Sequence, residues 1–145
     1  MSDVVTLLDE LAACVAEACG LSYKTVPEGQ ARQLYVHRMD RREADQTASV
    51  LRLTGGPAGE YLPTLVLTVQ CLTQAATEAE ALARAWAIHD CFVTDAGLPQ
   101  REISLSTWRI VRIDAMQRPS AIGPLAGGGA DVSFNWLIEA APLAA

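Results

Sequence analysis

The side chains of this chain that could carry nucleophilic or metal chemistry are four cysteines and two histidines. They are Cys14, Cys19, Cys71, Cys91, His37 and His89. Metal sites and redox motifs usually bring their ligands close together in sequence, and the cysteines include no Cys-x-x-Cys pair. We therefore expect reduced, mostly packed thiols, without a zinc site or a structural disulfide.

His89 and Cys91 are close enough in sequence to suggest a nucleophile and its general base. They fall on a segment with helical periodicity, where residues two apart point to opposite sides, so a Cys-His pair fails on geometry. No Asp, Cys or Ser is positioned by the sequence to partner His89. We interpret it as a hydrogen-bonded histidine of a core or interface, and we predict no enzyme activity, no catalytic residue, no metal and no cofactor.

The run Gly127-Gly128-Gly129 suggests at first a loop that binds phosphate. Such loops need a following helix whose amide groups point at the anion, often together with a lysine. Here the pattern of a strand follows, and no Gly-Lys-Ser/Thr sequence is present. We therefore expect a flexible hairpin tip.

A small basic cluster is interleaved with acidic residues in the first half of the chain. Its members are Arg38, Arg41, Arg42, Arg52, Asp40, Glu43 and Asp45. One interpretation is a solvated charged loop. The alternative is one half of a subunit contact, in which opposite charges on a neighbour fix the register.

Composition limits the class of protein. The chain has 145 residues, half of them hydrophobic, which is typical of one globular domain. Its net charge of −6 argues against a protein that grips nucleic acid. The N-terminus has neither the basic region of a signal peptide nor the length of a membrane span, so we expect synthesis in the cytoplasm and no membrane partner.

Hydrophobic periodicity predicts the elements. A first helix is expected to end at Gly20, with strands over residues 33–38 and 48–53 and a central strand over Leu62–Leu72. A second helix should begin at Thr77, with Glu78 and Glu80 in its first turn. Its predicted apolar side carries Ala79, Leu82, Ala85, Trp86, Ile88, Phe92 and Val93.

The last third of the chain reads as a strand over Ile103–Asp114, a loop over Pro119–Ala130 and a strand over Asp131–Ala140. The whole order is helix, three strands, helix, two strands. It predicts an α+β fold with a single domain over residues 1–145, in which a mostly antiparallel sheet of four to five strands has both helices packed on one face.

The three tryptophans are most simply core residues, each on an element with an apolar face. They are Trp86, Trp108 and Trp136. Trp108 is the exception to test, because Ser106 and Ile110 give it a mixed face, and an exposed tryptophan there would mark a contact surface.

Taken together, residues 30–140 resemble the minor-capsid and tail-terminator proteins of long-tailed bacteriophages. The likeness lies in LRLTGG, a short loop with Pro63, the strand TLVLTVQCLT and a helix of the type EAEALARAWAIHDCF. It continues in Arg118-Pro119, a loop with Gly123 and the pair Phe134-Asn135. A departure is Gln70-Cys71-Leu72, where members commonly have an arginine or lysine.

The resemblance implies a structural virion protein that forms a hexameric ring, caps the tail tube, ends its polymerisation and presents a surface for head-tail joining. Its implied partners are its own copies, the tail tube protein and a connector or stopper protein. Genomic DNA would only pass through the lumen, and an acidic balance would let it slide. The implied location is the tail or neck of the virion, and the host cytoplasm during assembly.

A ring needs a head-to-tail contact that closes, and the loops over residues 39–47, 54–61 and 116–130 are the candidates for it. The candidate contact residues are Arg41, Arg42, Glu43, Asp45, Glu60, Tyr61, Trp108, Arg118, Ile122 and Leu125. Two alternatives stay open: another neck component, such as a head-tail connector or adaptor, and a small cytoplasmic enzyme or ligand-binding domain.

Overall fold

The computed structural model describes residues 4–39, 46–55, 65–92, 103–124 and 129–143. Within them the chain forms two helices and six strands, which confirms the α+β class and the single domain. The elements are α1 (Val4–Cys19), β1 (Leu34–Val36), β2 (Ala48–Gly55), β3 (Leu65–Ala75), α2 (Glu78–His89), β4 (Ile103–Ser104), β5 (Trp108–Pro124) and β6 (Ala130–Pro142).

The strands form one mixed, curled sheet in the order β1-β2-β3-β6-β5-β4. β1 runs parallel to β2, and the other neighbours are antiparallel. The predicted count of four to five strands is wrong, because the segment expected as one strand from Ile103 folds back on itself. The amide of Leu105 donates to the carbonyl oxygen of Trp108 at 2.7 Å, closing a two-residue turn between β4 and β5.

β5 is longer than the sequence pattern predicts, and residues 119–124 belong to this strand and not to a loop. The strand has four register shifts against β6, and each extra residue interrupts the alternation of apolar and polar side chains. One shift contains Gly123, whose φ of 140° would be strained for any residue with a Cβ atom. The bulges therefore hide the strand from a period-two analysis.

β3 and β6 lie at the centre of the sheet. Their pairing is unbroken from Leu65 opposite Ala140 to Ala75 opposite Ala130. The prediction of a central strand in this region is confirmed, although the described strand begins at Leu65 and residues 62–64 lie outside the described part.

Both helices pack on the same face of the sheet. α1 buries Leu7, Leu8, Leu11, Ala12 and Val15, and it ends as predicted before Gly20, which has a φ of 68°. At the start of α2, the hydroxyl of Thr77 accepts a hydrogen bond from the amide of Glu80 at 3.2 Å, as an N-cap does.

The buried side of α2 differs in part from the predicted one. Ala81, Ala85 and Ile88 are buried, whereas Ala79 is exposed and Trp86 is 38% exposed. Ala79 and Trp86 lie seven residues apart on the line roughly opposite the buried one. An alanine-rich helix gives a weak apolar stripe, so the sequence does not establish which side of it faces the sheet.

The centre of the core is an aromatic cluster between β6 and the end of α2. The rings of Phe134 and Trp136 meet edge to face at 4.9 Å, and Phe92 meets Trp136 at 5.2 Å. Val132 and Ile138 continue the same buried face. The alternation read from residues 131–140 is thus confirmed as the inward face of the closing strand.

Truncating this cluster should be costly. We expect Trp136→Ala to lower the free energy of unfolding by about 3–5 kcal/mol, because it leaves a large cavity in the core. Trp86→Ala removes an indole that is 38% exposed and should cost about 1 kcal/mol or less. Urea denaturation followed by circular dichroism measures both. Equal losses for the two variants would contradict the assigned faces.

Candidate assembly surface

The sheet has a second face on which neither described helix packs. The helices share one core cluster with inward residues such as Leu51, Val69 and Phe134. Because side chains alternate along a strand, the residues between these point to the opposite face. That opposite face, here called the open face, is the largest surface of the described sheet left without a helical layer.

A row of polar side chains crosses the open face through four adjacent strands. Its members stand opposite one another in register, in the order Arg52, Gln70, Asn135 and Gln117. The Nε of Arg52 donates to Oε1 of Gln70 at 3.0 Å, and Nδ2 of Asn135 donates to Oε1 of Gln117 at 2.7 Å. This polar row offers hydrogen-bond donors and acceptors to a partner, and it contains no nucleophile or general base.

The polar row has a buried apolar cluster on one side and an exposed methionine on the other. The cluster lies at the β1–β3 end and consists of Tyr35, Ala48 and Val50, which are 9%, 0% and 1% exposed, with Met39 and Leu72 packed against it. On the other side, the sulfur of Met116 lies 3.8 Å from the hydroxyl of Thr68, and the Met116 side chain is 59% exposed. An exposed apolar side chain beside hydrogen-bonded polar groups is a combination found at protein interfaces.

Charges of both signs lie beyond Met116 on the same face. The Nε of Arg112 lies 2.7 Å from Oδ2 of Asp114, and Arg112 stands opposite Glu139 on β6. A partner that docks here therefore meets alternating charges, which favour one register over others.

Two of the predicted contact residues lie at bulges of β5. Arg118 is exposed, and Ile122 is 62% exposed. Both fall where the register against β6 shifts, between Gln117 and Ser120 and between Ala121 and Gly123. Bulges re-aim side chains at the end of a sheet, so these positions are suited to contact with another chain.

Trp108 does not meet the condition set for a contact residue. It is only 3% exposed and belongs to the main core cluster, so the idea of an exposed indole at this position is wrong. The cause is the turn before β5, which the sequence did not reveal. The carboxylate of Glu10 on α1 accepts hydrogen bonds from the amides of Thr107 at 2.6 Å and Trp108 at 3.3 Å, holding this turn against the helix.

The remaining predicted contact residues lie outside the described residues. They are Arg41, Arg42, Glu43, Asp45, Glu60, Tyr61 and Leu125. The chain approaches the first of these segments through a tight turn, in which the amide of Arg38 donates to the carbonyl oxygen of Val36 at 2.7 Å. His37, between them, has a φ of 65°, an uncommon conformation for a residue other than glycine.

Neither the polar row nor the position of Met116 is evident from the sequence. Each member of the row occupies an outward position of a strand, which the alternation signals, but alternation gives no information on which residues of different strands stand side by side. Register is set by the pairing of whole strands and by bulges. Met116 sits at such a bulge, between Ala115 and Gln117.

His89 is a core histidine, as predicted. It is 2% exposed, and its ring meets those of Trp86 and Phe134 edge to face. Its Nδ1 lies 2.9 Å from Oδ1 of Asp90, a partner that the sequence analysis did not foresee. Nε2 is buried and has no hydrogen-bond partner among the described residues.

The four cysteines are free thiols, and they differ in burial. Cys71 is fully buried, which raises its pKa to about 12, while the other three are partly exposed. The sulfurs of Cys19 and Cys91 lie 3.0 Å apart. In the part of the chain that the structure describes, no group of three His, Cys, Asp or Glu side chains is placed to hold a metal ion.

An open groove of about 450 Å³ runs beside α1 and is lined in part by Asp9, Glu10, Glu17 and Ser104. Asp9 accepts hydrogen bonds from the hydroxyl of Tyr23 at 2.6 Å and from Nζ of Lys24 at 2.9 Å. These bonds hold the pKa of Asp9 below its ordinary value of 3.8. Asp9 and Glu10 thus fasten α1 to neighbouring segments, which is a structural role.

No family model matches this chain, and a search of curated proteins found no relative. The likeness to tail-terminator proteins therefore rests on the residues alone. None of the helices in the described ranges is long and apolar enough to cross a membrane.

The Asp9 contacts predict a pH-dependent contribution to stability. Since the folded pKa is depressed, the contribution is complete above 3.8 and is lost as the pH falls through the lower folded value. Asp9→Asn should therefore cost about 1 kcal/mol or less at pH 7, given the partial exposure of the pair, and less at pH 2 than at pH 7. Urea titrations at the two pH values, with Tyr23→Phe as a companion variant, test this. A cost for Asp9→Asn that is the same at both pH values would contradict it.

Proposed function

We propose that this protein is a structural component of long-tailed bacteriophage particles that caps the tail tube, ends its polymerisation and offers the surface for head-tail joining. The observation that carries the proposal is the open face, where a polar row lies beside the exposed Met116 and charges of both signs. Such a face suits a protein partner better than a small substrate. The resemblance of residues 30–140 to tail-terminator and minor-capsid proteins gives the partner its class.

The outer strands of the described sheet, β1 and β4, have three and two residues. β4 pairs only with Arg109 and Ile110 of β5, so beyond Ile110 the outer edge of β5 has no strand partner among the described residues. An edge of this kind can pair with a neighbouring chain, and the bulges of β5 limit how much of it can do so. A closing ring, which needs a different surface on each side of the subunit, would thus use the open face and the bulged end of β5.

In this proposal the ring is a hexamer that meets the tail tube protein on one side and a connector or stopper protein on the other. Genomic DNA passes through the lumen without being gripped, which agrees with the net charge of −6. The protein assembles in the host cytoplasm and resides in the tail or neck of the virion.

A second candidate is another neck component, such as a head-tail connector or adaptor, because the open face would serve equally well against portal or adaptor subunits. The groove beside α1 gives little support to an enzyme or a ligand-binding domain. Its Asp9 and Glu10 carboxylates already accept hydrogen bonds from Tyr23, Lys24, Thr107 and Trp108, so neither is a poised general base.

Deletion of the gene from the phage or prophage that carries it separates these functions. Negative-stain microscopy of the lysate should show overlong, irregular tails beside tailless, DNA-filled heads, and a plasmid copy should restore normal particles. Tails of normal length that fail to join heads would move the protein to the connector. Intact virions would contradict a role in assembly.

The open face and β5 predict which substitutions weaken assembly. Met116→Ser with Ile122→Ser removes two side chains that are 59% and 62% exposed, so the fold should keep its stability while self-association weakens by about tenfold or more. Val5→Ser is the matched control, because Val5 is 60% exposed on α1, away from the open face. Light scattering during size-exclusion chromatography measures the association, and the same variants are tested for complementation. Equal association of both proteins would contradict this contact surface.

A further inference from the structure

The ends of the two helices bring together two thiols that are far apart in the chain. Cys19 is the last residue of α1, and Cys91 follows α2 after the capping residue Asp90. Their sulfurs lie 3.0 Å apart, across 72 positions of sequence. Both sulfurs also contact the carbonyl oxygen of Ala87, at 3.6 Å from Cys19 and 3.4 Å from Cys91. The pair is thus held by the packing of α1 against α2.

The surroundings make the two thiols unequal. The hydrogen bond from Cys91 and the nearby guanidinium of Arg84 lower the pKa of Cys19 against the opposing effect of burial. The same hydrogen bond, together with burial, raises the pKa of Cys91. Arg84 is itself partly buried, and its Nη1 has no hydrogen-bond partner among the described residues. Cys19 is therefore favoured as the thiolate nucleophile of the first step, and Cys91 as the thiol that reacts in the second step.

Both residues of the pair are partly exposed to solvent, whereas Cys71 is buried. Cys14, Cys71 and the capping residue Asp90 are other titratable groups that interact with the pair. Asp90 disfavours the thiolate of Cys91, whereas Arg84 favours the thiolate of Cys19.

We propose that Cys19 and Cys91 are a dithiol site that closes to a reversible disulfide by exchange with a small disulfide such as oxidised glutathione. The Cys19 thiolate attacks one sulfur of glutathione disulfide, forming a mixed disulfide and releasing one glutathione thiolate. Cys91 then gives its proton to water and attacks Sγ of Cys19, releasing the second glutathione thiolate. Two protein thiols are oxidised, and one glutathione disulfide is reduced to two thiols.

The crosslink would fasten the helical layer of the fold. α1 packs over β1 and β2, whereas α2 packs over β3, β5 and β6, so the bond joins the two halves of the layer. Closing a long loop lowers the entropy of the unfolded chain. In a reducing cytoplasm the site stays open, and in an oxidising medium it closes. This inference does not depend on the function proposed above.

Peptide mapping of the native wild-type protein tests the site directly. The protein is incubated in buffers with increasing ratios of oxidised to reduced glutathione, the exchange is stopped with acid, and the remaining thiols are alkylated after the protein has been denatured. Cleavage after Lys, Arg and Glu separates Cys14, in residues 11–17, from Cys19, in residues 18–24. We expect residues 18–24 linked to residues 85–101, with Cys14 and Cys71 alkylated. Four alkylated cysteines at every ratio, or a link that involves Cys14, would overturn the proposal.

Thermal unfolding of the oxidised and reduced forms provides a second readout. Oxidation should raise the melting temperature of the wild type by about 10 °C, because the bond closes a long loop and lowers the entropy of the unfolded chain. Cys14→Ser is the matched control and should keep the whole shift, while Cys19→Ser and Cys91→Ser should lose it. A shift that persists in Cys19→Ser would overturn the assignment of the disulfide to Cys19 and Cys91. If a variant fails to fold, the peptide map of the wild-type protein still tests the proposal.

Discussion

The packing of β6 beneath α2 is the constraint on which the rest of the structure depends. Phe134 and Trp136 meet each other edge to face, and Phe92 and His89 close the cluster from the helix side. Each large aromatic side chain buries much apolar surface, so these few rings contribute strongly to the core. Because β6 also pairs with both β3 and β5, holding these two rings in place holds the three strands that form the middle of the sheet.

The same constraint creates the open face. A strand places alternate residues on opposite sides, so once Phe134 and Trp136 point inward, Asn135 must point outward, beside Gln70 and Gln117. A slip of one residue would exchange the two sets and bury the polar row, at the cost of unsatisfied amides. The candidate surface and the core are therefore two results of one register. Met116 and Ile122, at two bulges of β5, are exposed as well.

Electrostatic contacts refine this arrangement and do not create it. Glu10 ties α1 to the turn before β5, and Asp9 ties it to Tyr23 and Lys24. These bonds bring α1 to a position where Cys19 reaches Cys91 at the end of α2. The thiol pair is thus a consequence of how two helices, each placed by its own apolar side, end at the same point of the fold.

Local patterns were sufficient for the elements whose signal is strong and periodic. Alternation in β6, the cap at Thr77 and the stop at Gly20 follow from short-range chemistry, and they predicted the α+β class and the central strand. Local patterns failed where pairing overrides them. Four features depend on contacts with residues distant in sequence. They are the turn that separates β4 from β5, the bulged extension of β5 to Pro124, the burial of Trp108 and the exposure of Trp86. The polar row and the Cys19–Cys91 pair were also decided by the tertiary structure. Strand register and helix packing are properties of the folded chain, and the spacing of residue types in the sequence carries no information on them.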